Sequence, residues 1–212
     1  MNFRRDMLLL YAVTDRKWVG RQTLFEQIED SLRGGVTMVQ LREKELDLDS
    51  FAEEAIQVRE LCHSYGVPLI INDRLDVALK SGADGVHVGV TDSPVSEIRR
   101  IVGREFIIGA TAKTIEQAIS AQTAGADYIG VGAVFPSPTK KNAIRITREQ
   151  LADITSSVDI PAVAIGGIDR TNISEIAGSG ITGVAVVSAI FSAEDIRAAS
   201  AELKAMSKSV AG

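Results

Sequence analysis

Short apolar runs recur along the chain, separated by stretches of helical spacing. The runs are MLLLYAVTD (7–15), TMVQLREK (37–44), PLIINDR (68–74), GVHVG (85–89), FIIGATAK (106–113), YIGVGAVFPS (128–137), PAVAIGGI (161–168) and GVAVVSAIF (183–191). They are near-continuous in Val, Ile, Leu and Ala, the pattern of strands buried on both faces of a parallel sheet. Between them, LFEQIEDSLRGG places Leu24, Ile28 and Leu32 on one helical face, with Gly34 and Gly35 as a stop. SFAEEAIQVRELCHSYG opens on Ser50 as a cap, with Glu53 three residues later. RLDVALKSG, SPVSEIRRIVG, TIEQAISAQTAG, TREQLADITSS, DRTNISEIAGSG and SAEDIRAASAELKAM continue the helical pattern. Glycine precedes the strands in GGVTMVQ, GADGVHV, GADYIGV and GITGVAV, so the repeating unit is helix, Gly stop, strand. Eight such units predict an α/β fold: one (β/α)8 TIM-barrel domain over residues 1–212. An open doubly wound sheet would carry a Gly-rich fingerprint after its first strand, and TDRKWVG has none.

Composition narrows the function classes. A net charge of −5 disfavours a nucleic-acid surface. The single cysteine, Cys62, forms no disulfide within the chain, which fits a reducing cytoplasm. With His63 and His87 it makes too small a set for a His/Cys zinc site, but a carboxylate-held magnesium stays open. The apolar run after Arg4 and Arg5 ends in Asp15 without a cleavage pattern, so it reads as a first strand and not as a signal peptide. No run approaches a membrane span. Cytoplasmic location and small-molecule partners are the expectation; a homo-oligomer is left open.

In such barrels the active site lies at the C-terminal ends of the strands. Gln40, Arg42 and Lys44 share one face there by alternation, and Glu43 faces away. Strand 3 ends in Asn72, Asp73 and Arg74, and the loop after strand 4 holds Thr91 and Asp92. Strand 5 ends in Thr111, Ala112 and Lys113, and strand 6 runs into Ser137, Pro138, Thr139, Lys140 and Lys141. Cations from strands 2, 5 and 6 suit phosphate oxygens, and carboxylates from strand 3 and loop 4 suit a bridging divalent metal. Gly166, Gly167, Val187 and Ser188 suggest a second phosphate site after strands 7 and 8. Plainer readings stand beside these. Asp73 and Asp92 could cap the helices that follow, the glycine pair could be a tight turn, His87 could be core, and any single cation could be a solvated tip.

Together QLREK (40–44), INDR (71–74), ADGVHVG (83–89), IGATAKT (108–114), GAVFPSPTKK (132–141) and AIGGI (164–168) resemble the thiamine phosphate synthase family, from YAVTD to VVSAIF. The resemblance implies a Mg2+-dependent transferase of thiamine biosynthesis. An aminopyrimidine, 4-amino-2-methyl-5-(diphosphooxymethyl)pyrimidine, joins a (carboxy)thiazole phosphate, and pyrophosphate leaves dissociatively. By resemblance the segment Gln40, Leu41, Arg42, Glu43, Lys44, with Asn72 and Thr111, binds the pyrimidine diphosphate. Asp73 and Asp92 hold the metal. Ser137, Pro138 and Thr139 contact the thiazole phosphate, Lys140 lies near the diphosphate, and Gly167, Val187 and Ser188 bind the thiazole phosphate group. Arg42, Lys44, Thr111 and Lys140 carry the catalytic roles. Position 111 is commonly Ser and position 137 commonly Thr in the family. A related thiazole tautomerase resembles the same fold but looks to use a histidine where Lys113 stands. A non-catalytic phosphate-ligand sensor is a further alternative, although one could lose Asp73 or Asp92, and both are present.

Overall fold

The computed structural model describes residues 2–136 and 145–212. Eight parallel strands close into a barrel in sequence order. They are β1 Leu10–Val13, β2 Met38–Leu41, β3 Leu69–Asn72, β4 Gly85–Val88, β5 Ile107–Ala112, β6 Tyr128–Gly132, β7 Ala162–Ile165 and β8 Gly183–Val186. Outside them lie α1 Leu24–Arg33, α2 Leu48–Ser64, α3 Leu75–Ser81, α4 Val95–Val102, α5 Ile115–Thr123, α6 Arg148–Ser156, the short α7 Ser188–Phe191 and α8 Ile196–Val210. The expected TIM barrel is therefore observed.

The continuous apolar runs have a simple cause. One parity of each strand packs outward on the helices: Leu10, Ala12, Val39, Leu41, Leu69, Ile71 and Ile108 join the large core between strands and helices. The other parity fills the barrel interior, where Tyr11, Val13, Met38, Ile70, Ile107, Tyr128, Val163 and Ala185 form a second cluster. Both faces lose water, so neither can be polar without a partner. The inward parity turns polar only towards the C-terminal end, at Gln40, Asn72, His87 and Thr111.

Three expectations shift on contact with the structure. Ser50 is not the cap of α2; Asp47 is, accepting from the N–H groups of Asp49 and Ser50, because an Asx turn starts the helix earlier. DRTNISEIAGSG gives only a 3₁₀ turn, Ile173–Ile176, since Gly178 and Gly180 both take positive φ and stop it. The run over 183–191 is a strand only to Val186, followed by the turn of α7, and apolar continuity alone does not separate the two.

Inside the barrel, Gly109 and Gly130 make room for large rings. A Cβ on Gly109 would lie 2.1 Å from Tyr128 Cζ and 2.5 Å from His87 Nδ1. Gly109 pairs in register with His87 on one side and Tyr128 on the other, so the strands themselves impose this approach. Gly109→Ala should therefore destabilise the barrel by roughly 1–3 kcal/mol through overpacking. Gly20→Ala, with nothing near its added Cβ, should stay within about 0.5 kcal/mol of the parent. Denaturant unfolding of the two variants would check this, and equal midpoints would contradict it.

Candidate active site

A deep cavity of about 180 Å³ opens at the C-terminal end of the barrel. Of the residues anticipated from the sequence, it brings together Gln40, Arg42, Asn72, Thr111, Gly167, Val187 and Ser188. Its floor is polar and buried. Gln40 Nε2 donates to Tyr11 Oη at 2.7 Å, and the Tyr11 and Tyr128 hydroxyls meet at 2.8 Å. His87 Nδ1 lies 3.1 Å from Tyr128 Oη, and His87 Nε2 lies 3.1 Å from Thr111 Oγ1. Burial pushes both phenols well above their ordinary range, so both keep their protons. Gln40 is thus not a stray polar residue in a strand, because a buried phenol satisfies it.

The β1–β2 side sets a cation against a carboxylate. The strand end turns Arg42 inward, its N–H donating to the buried Thr14 hydroxyl at 2.9 Å. Its guanidinium lies 3.8 Å from Asp15 Oδ2, with both side chains mostly shielded. Leu41 has the opposite parity and is fully buried against the helices, so only its backbone faces the strand end. The Glu43 carboxylate is engaged elsewhere: it pairs with Arg16 and accepts from the N–H groups of Lys44 at 2.7 Å and Glu45 at 2.9 Å. Desolvation opposes ionisation there, but these hydrogen bonds and Arg16 hold its carboxyl below the ordinary range. It therefore shapes the loop that carries Lys44, which is exposed beyond the cavity wall.

The carboxylate pair stands at the ends of β3 and β4. Asp73 is the one described non-glycine residue with positive φ, at 61°. Its N–H donates to the His87 carbonyl at 2.8 Å, and Asn72 Nδ2 donates to its carboxylate at 2.5 Å. Asp92 Oδ2 accepts from the Gly89 N–H at 2.6 Å. The capping alternative fails for both, because α3 and α4 begin at Arg74 and Pro94 with no side-chain cap. By contrast α1, α2, α5, α6 and α8 are all capped by side chains. Asp73 reaches solvent, yet partial burial first, and then the hydrogen bond and charge of Asp92, push it up to about 6, against the pull of Asn72 and Arg42. Two carboxylates in contact suit a hard divalent cation, which would replace the repulsion with attraction. Among the described residues no group of three or more His, Cys, Asp or Glu gathers as a metal cage. Magnesium keeps waters and takes substrate phosphates alongside one or two carboxylates, so the chemistry of this pair fits it.

The opposite wall is built from backbone. Gly166 and Gly167 follow β7 with φ of 101° and 67°. A Cβ on Gly167 would fall 2.2 Å from the Pro136 carbonyl oxygen, so this turn packs directly on the segment after β6. Asn172 Nδ2 ties down the Gly167 carbonyl at 2.8 Å. Val187 and Ser188 face the same cavity at the first turn of α7, where backbone N–H groups lack intrahelical acceptors. Such N–H groups suit phosphate oxygens.

Ser137, Pro138, Thr139 and Lys140 lie outside the described residues. The sequence pattern missed Tyr11, Thr14 and Asp15 as site residues, did not single out Tyr128, and read His87 only as core or supporting. Two tyrosines at inward strand positions were the available signal, since a buried phenol needs a partner.

Comparison with known proteins agrees with this geometry. The family profile described as thiamine monophosphate synthase matches residues 10–190. The thiamine-phosphate synthase of Ruminiclostridium cellulolyticum is 48% identical over 194 residues, covering 92% of each chain. That of Methanobrevibacter smithii is 47% identical over 196 residues, covering 92% of this chain and 93% of its own. The solved thiamine phosphate pyrophosphorylase from Pyrococcus furiosus superposes with a TM-score of 0.90 at 39% identity, covering 98% of this chain and 99% of its own. A 3-hexulose-6-phosphate synthase structure, at 16% identity and a TM-score of 0.65, shares the fold alone. The chain belongs to the thiamine monophosphate synthase family and is an enzyme of the transferase class.

Proposed function

We propose that the chain condenses 4-amino-2-methyl-5-(diphosphooxymethyl)pyrimidine with a thiazole phosphate, releasing pyrophosphate and forming thiamine phosphate. The observation that carries this reading is one cavity that joins the Gln40, Arg42, Asn72 and Thr111 side to the Gly167 and Ser188 side, with Asp73 following Asn72 in sequence and touching Asp92. Two anionic substrates need two separate anion sites, and the cavity offers one around the Arg42 guanidinium and one around the backbone N–H groups after β7 and β8.

The roles follow from the charges. Gln40 and Thr111 hold the pyrimidine ring on the cavity floor. Arg42 and Lys44 neutralise the diphosphate, and Asn72 orients beside Asp73. Gly167, Val187 and Ser188 hold the thiazole phosphate, so that the ring nitrogen faces the methylene carbon. Positioning of this kind supplies much of the rate. The C–O bond breaks to a pyrimidine carbocation, and the thiazole nitrogen then closes the new C–N bond. Negative charge grows on the leaving group, where Arg42 and Lys44 stabilise it. Asp73 and Asp92 would hold Mg2+, which supplies further charge neutralisation for pyrophosphate. Ser137, Thr139 and Lys140 complete the substrate contacts in this reading. The tautomerase alternative wants an imidazole at position 113, where a lysine lines the cavity.

The direct assay mixes both substrates with magnesium and follows pyrophosphate and thiamine phosphate. Equal release of both, abolished by chelator, is expected; binding of thiazole phosphate without turnover would overturn the synthase reading. Asp73→Asn is the cleanest probe of the carboxylate pair, because Asn tolerates the φ of 61° and Ala would add backbone strain. It should lower turnover by on the order of 100-fold or more without lowering the unfolding midpoint. Wild-type turnover in that variant would remove the metal assignment. Lys44→Ala should raise KM for the pyrimidine diphosphate and leave KM for the thiazole phosphate unchanged. Parallel changes in both constants would count against its placement.

A further inference from the structure

The hydrogen bonds of the cavity floor form one unbroken chain across the barrel: Gln40, Tyr11, Tyr128, His87, Thr111. Its two ends are the residues placed against the pyrimidine ring, one on β2 and one on β5. A phenol carries one proton and can accept two hydrogen bonds, so the chain takes one direction where each buried proton finds its acceptor within it. Gln40 Nε2 donates to Tyr11 Oη. Tyr11 is almost wholly buried and Gln40 Nε2 offers it no lone pair, so in that sense its proton goes to Tyr128, 2.8 Å away, and the equally buried Tyr128 gives its own to His87 Nδ1. A neutral imidazole that accepts at Nδ1 carries its hydrogen on Nε2, which donates to Thr111 Oγ1. Two groups remain for a ligand: the carbonyl oxygen of Gln40, an acceptor, and the proton of the Thr111 hydroxyl, a donor.

We infer that Tyr11, Tyr128 and His87 act as positioning residues. The chain they form fixes the hydrogen-bond sense of Gln40 and Thr111 together and so selects a pyrimidine edge bearing an amino group beside an unprotonated ring nitrogen. This rests on the synthase reading and specifies how that site chooses its pyrimidine. The amino group donates to Gln40 Oε1, and the ring nitrogen accepts from Thr111. An analogue with oxygen in place of the amino group is a pyrimidinone, whose edge is the reverse: a carbonyl acceptor beside an N–H donor. To bind it, every bond in the chain would have to invert together. Inversion means turning the Gln40 amide, reversing two buried phenols and moving the imidazole proton to Nδ1. An isolated Gln or Thr could turn alone at little cost, whereas a connected chain resists. The surroundings hold it in place. Tyr11 and Tyr128 are almost wholly buried and pack edge to face at 5.9 Å, and Phe3 stacks on Tyr128 at 5.9 Å. Gly109 and Gly130 leave the space that His87 occupies.

The test is steady-state kinetics with the aminopyrimidine diphosphate and its oxo analogue, alongside the same thiazole phosphate. The wild type should favour the amino compound by at least about 100-fold in kcat/KM, because reversed donors and acceptors leave buried polar groups unpaired. Tyr128→Phe cuts the chain at its middle. It should raise KM for the amino compound and shrink the discrimination by roughly ten-fold, the scale of one buried hydrogen bond, with KM for thiazole phosphate within about two-fold of the parent. Tyr11→Phe should do the same and carries the test if Tyr128→Phe does not fold. A merely structural role would lower stability or kcat for both compounds alike and leave the ratio unchanged, and that result overturns the inference. Equal use of the two compounds by the wild type overturns it without any variant. A wild type that makes no thiamine phosphate removes the synthase reading itself and the inference with it.

Discussion

The contact on which the active site depends is the hydrogen bond between the Tyr11 and Tyr128 hydroxyls, 2.8 Å long and inside the barrel. A barrel of this size is filled by side chains, and two phenols in that filling are costly unless each finds partners. They find each other, and their remaining capacity reaches Gln40 on one side and His87 on the other. The apolar interior of Met38, Ile70, Ile107 and Val163 is thereby joined to a polar floor through hydrogen bonds. Gly109 and Gly130 are the consequence on the neighbouring strands, where any side chain would meet the rings.

Above that floor the charges are divided by strand. Arg42, Asp15, Asp73 and Asp92 stand at the ends of β1 to β4, and the glycine turn and the start of α7 stand after β7 and β8. The division is economical in side chains. In the proposed reaction the diphosphate leaving group gains charge and calls for full cations and a metal. A phosphate that only anchors its substrate needs fixed N–H groups, which a glycine turn and a helix start provide. The uncapped starts of α3 and α4 belong to the same arrangement, because Asp73 and Asp92 are turned to each other instead of to the helices behind them.

Much of this was legible in the sequence, for identifiable reasons. Both strand faces are dry, so the eight runs stood out as continuous apolar segments, and glycines marked the ends of α1 to α5. Alternation placed Gln40 and Arg42 inward and turned Glu43 away, and its carboxylate is indeed occupied by Arg16. What escaped were relations between strands. The register of β1 with β2, and of β4 with β5 and β6, decides which phenol meets which imidazole, and no local pattern carries it. Local competition explains the other differences. Asp47 outcompetes Ser50 as a cap, and paired positive-φ glycines end the segment after Ile176 before a full helix forms.

The central claim is that the cavity floor is a single hydrogen-bond chain with one direction. The chain has two histidines, His63 and His87, so nitrogen NMR of histidine-labelled protein at neutral pH would read the His87 tautomer with little overlap. A neutral imidazole protonated on Nε2 is expected, with Nδ1 in the acceptor range, and loss of that uniform state when Tyr128 is replaced by Phe. A His87 protonated on Nδ1 in the parent protein would reverse the bonds to Tyr128 and Thr111 and contradict that direction.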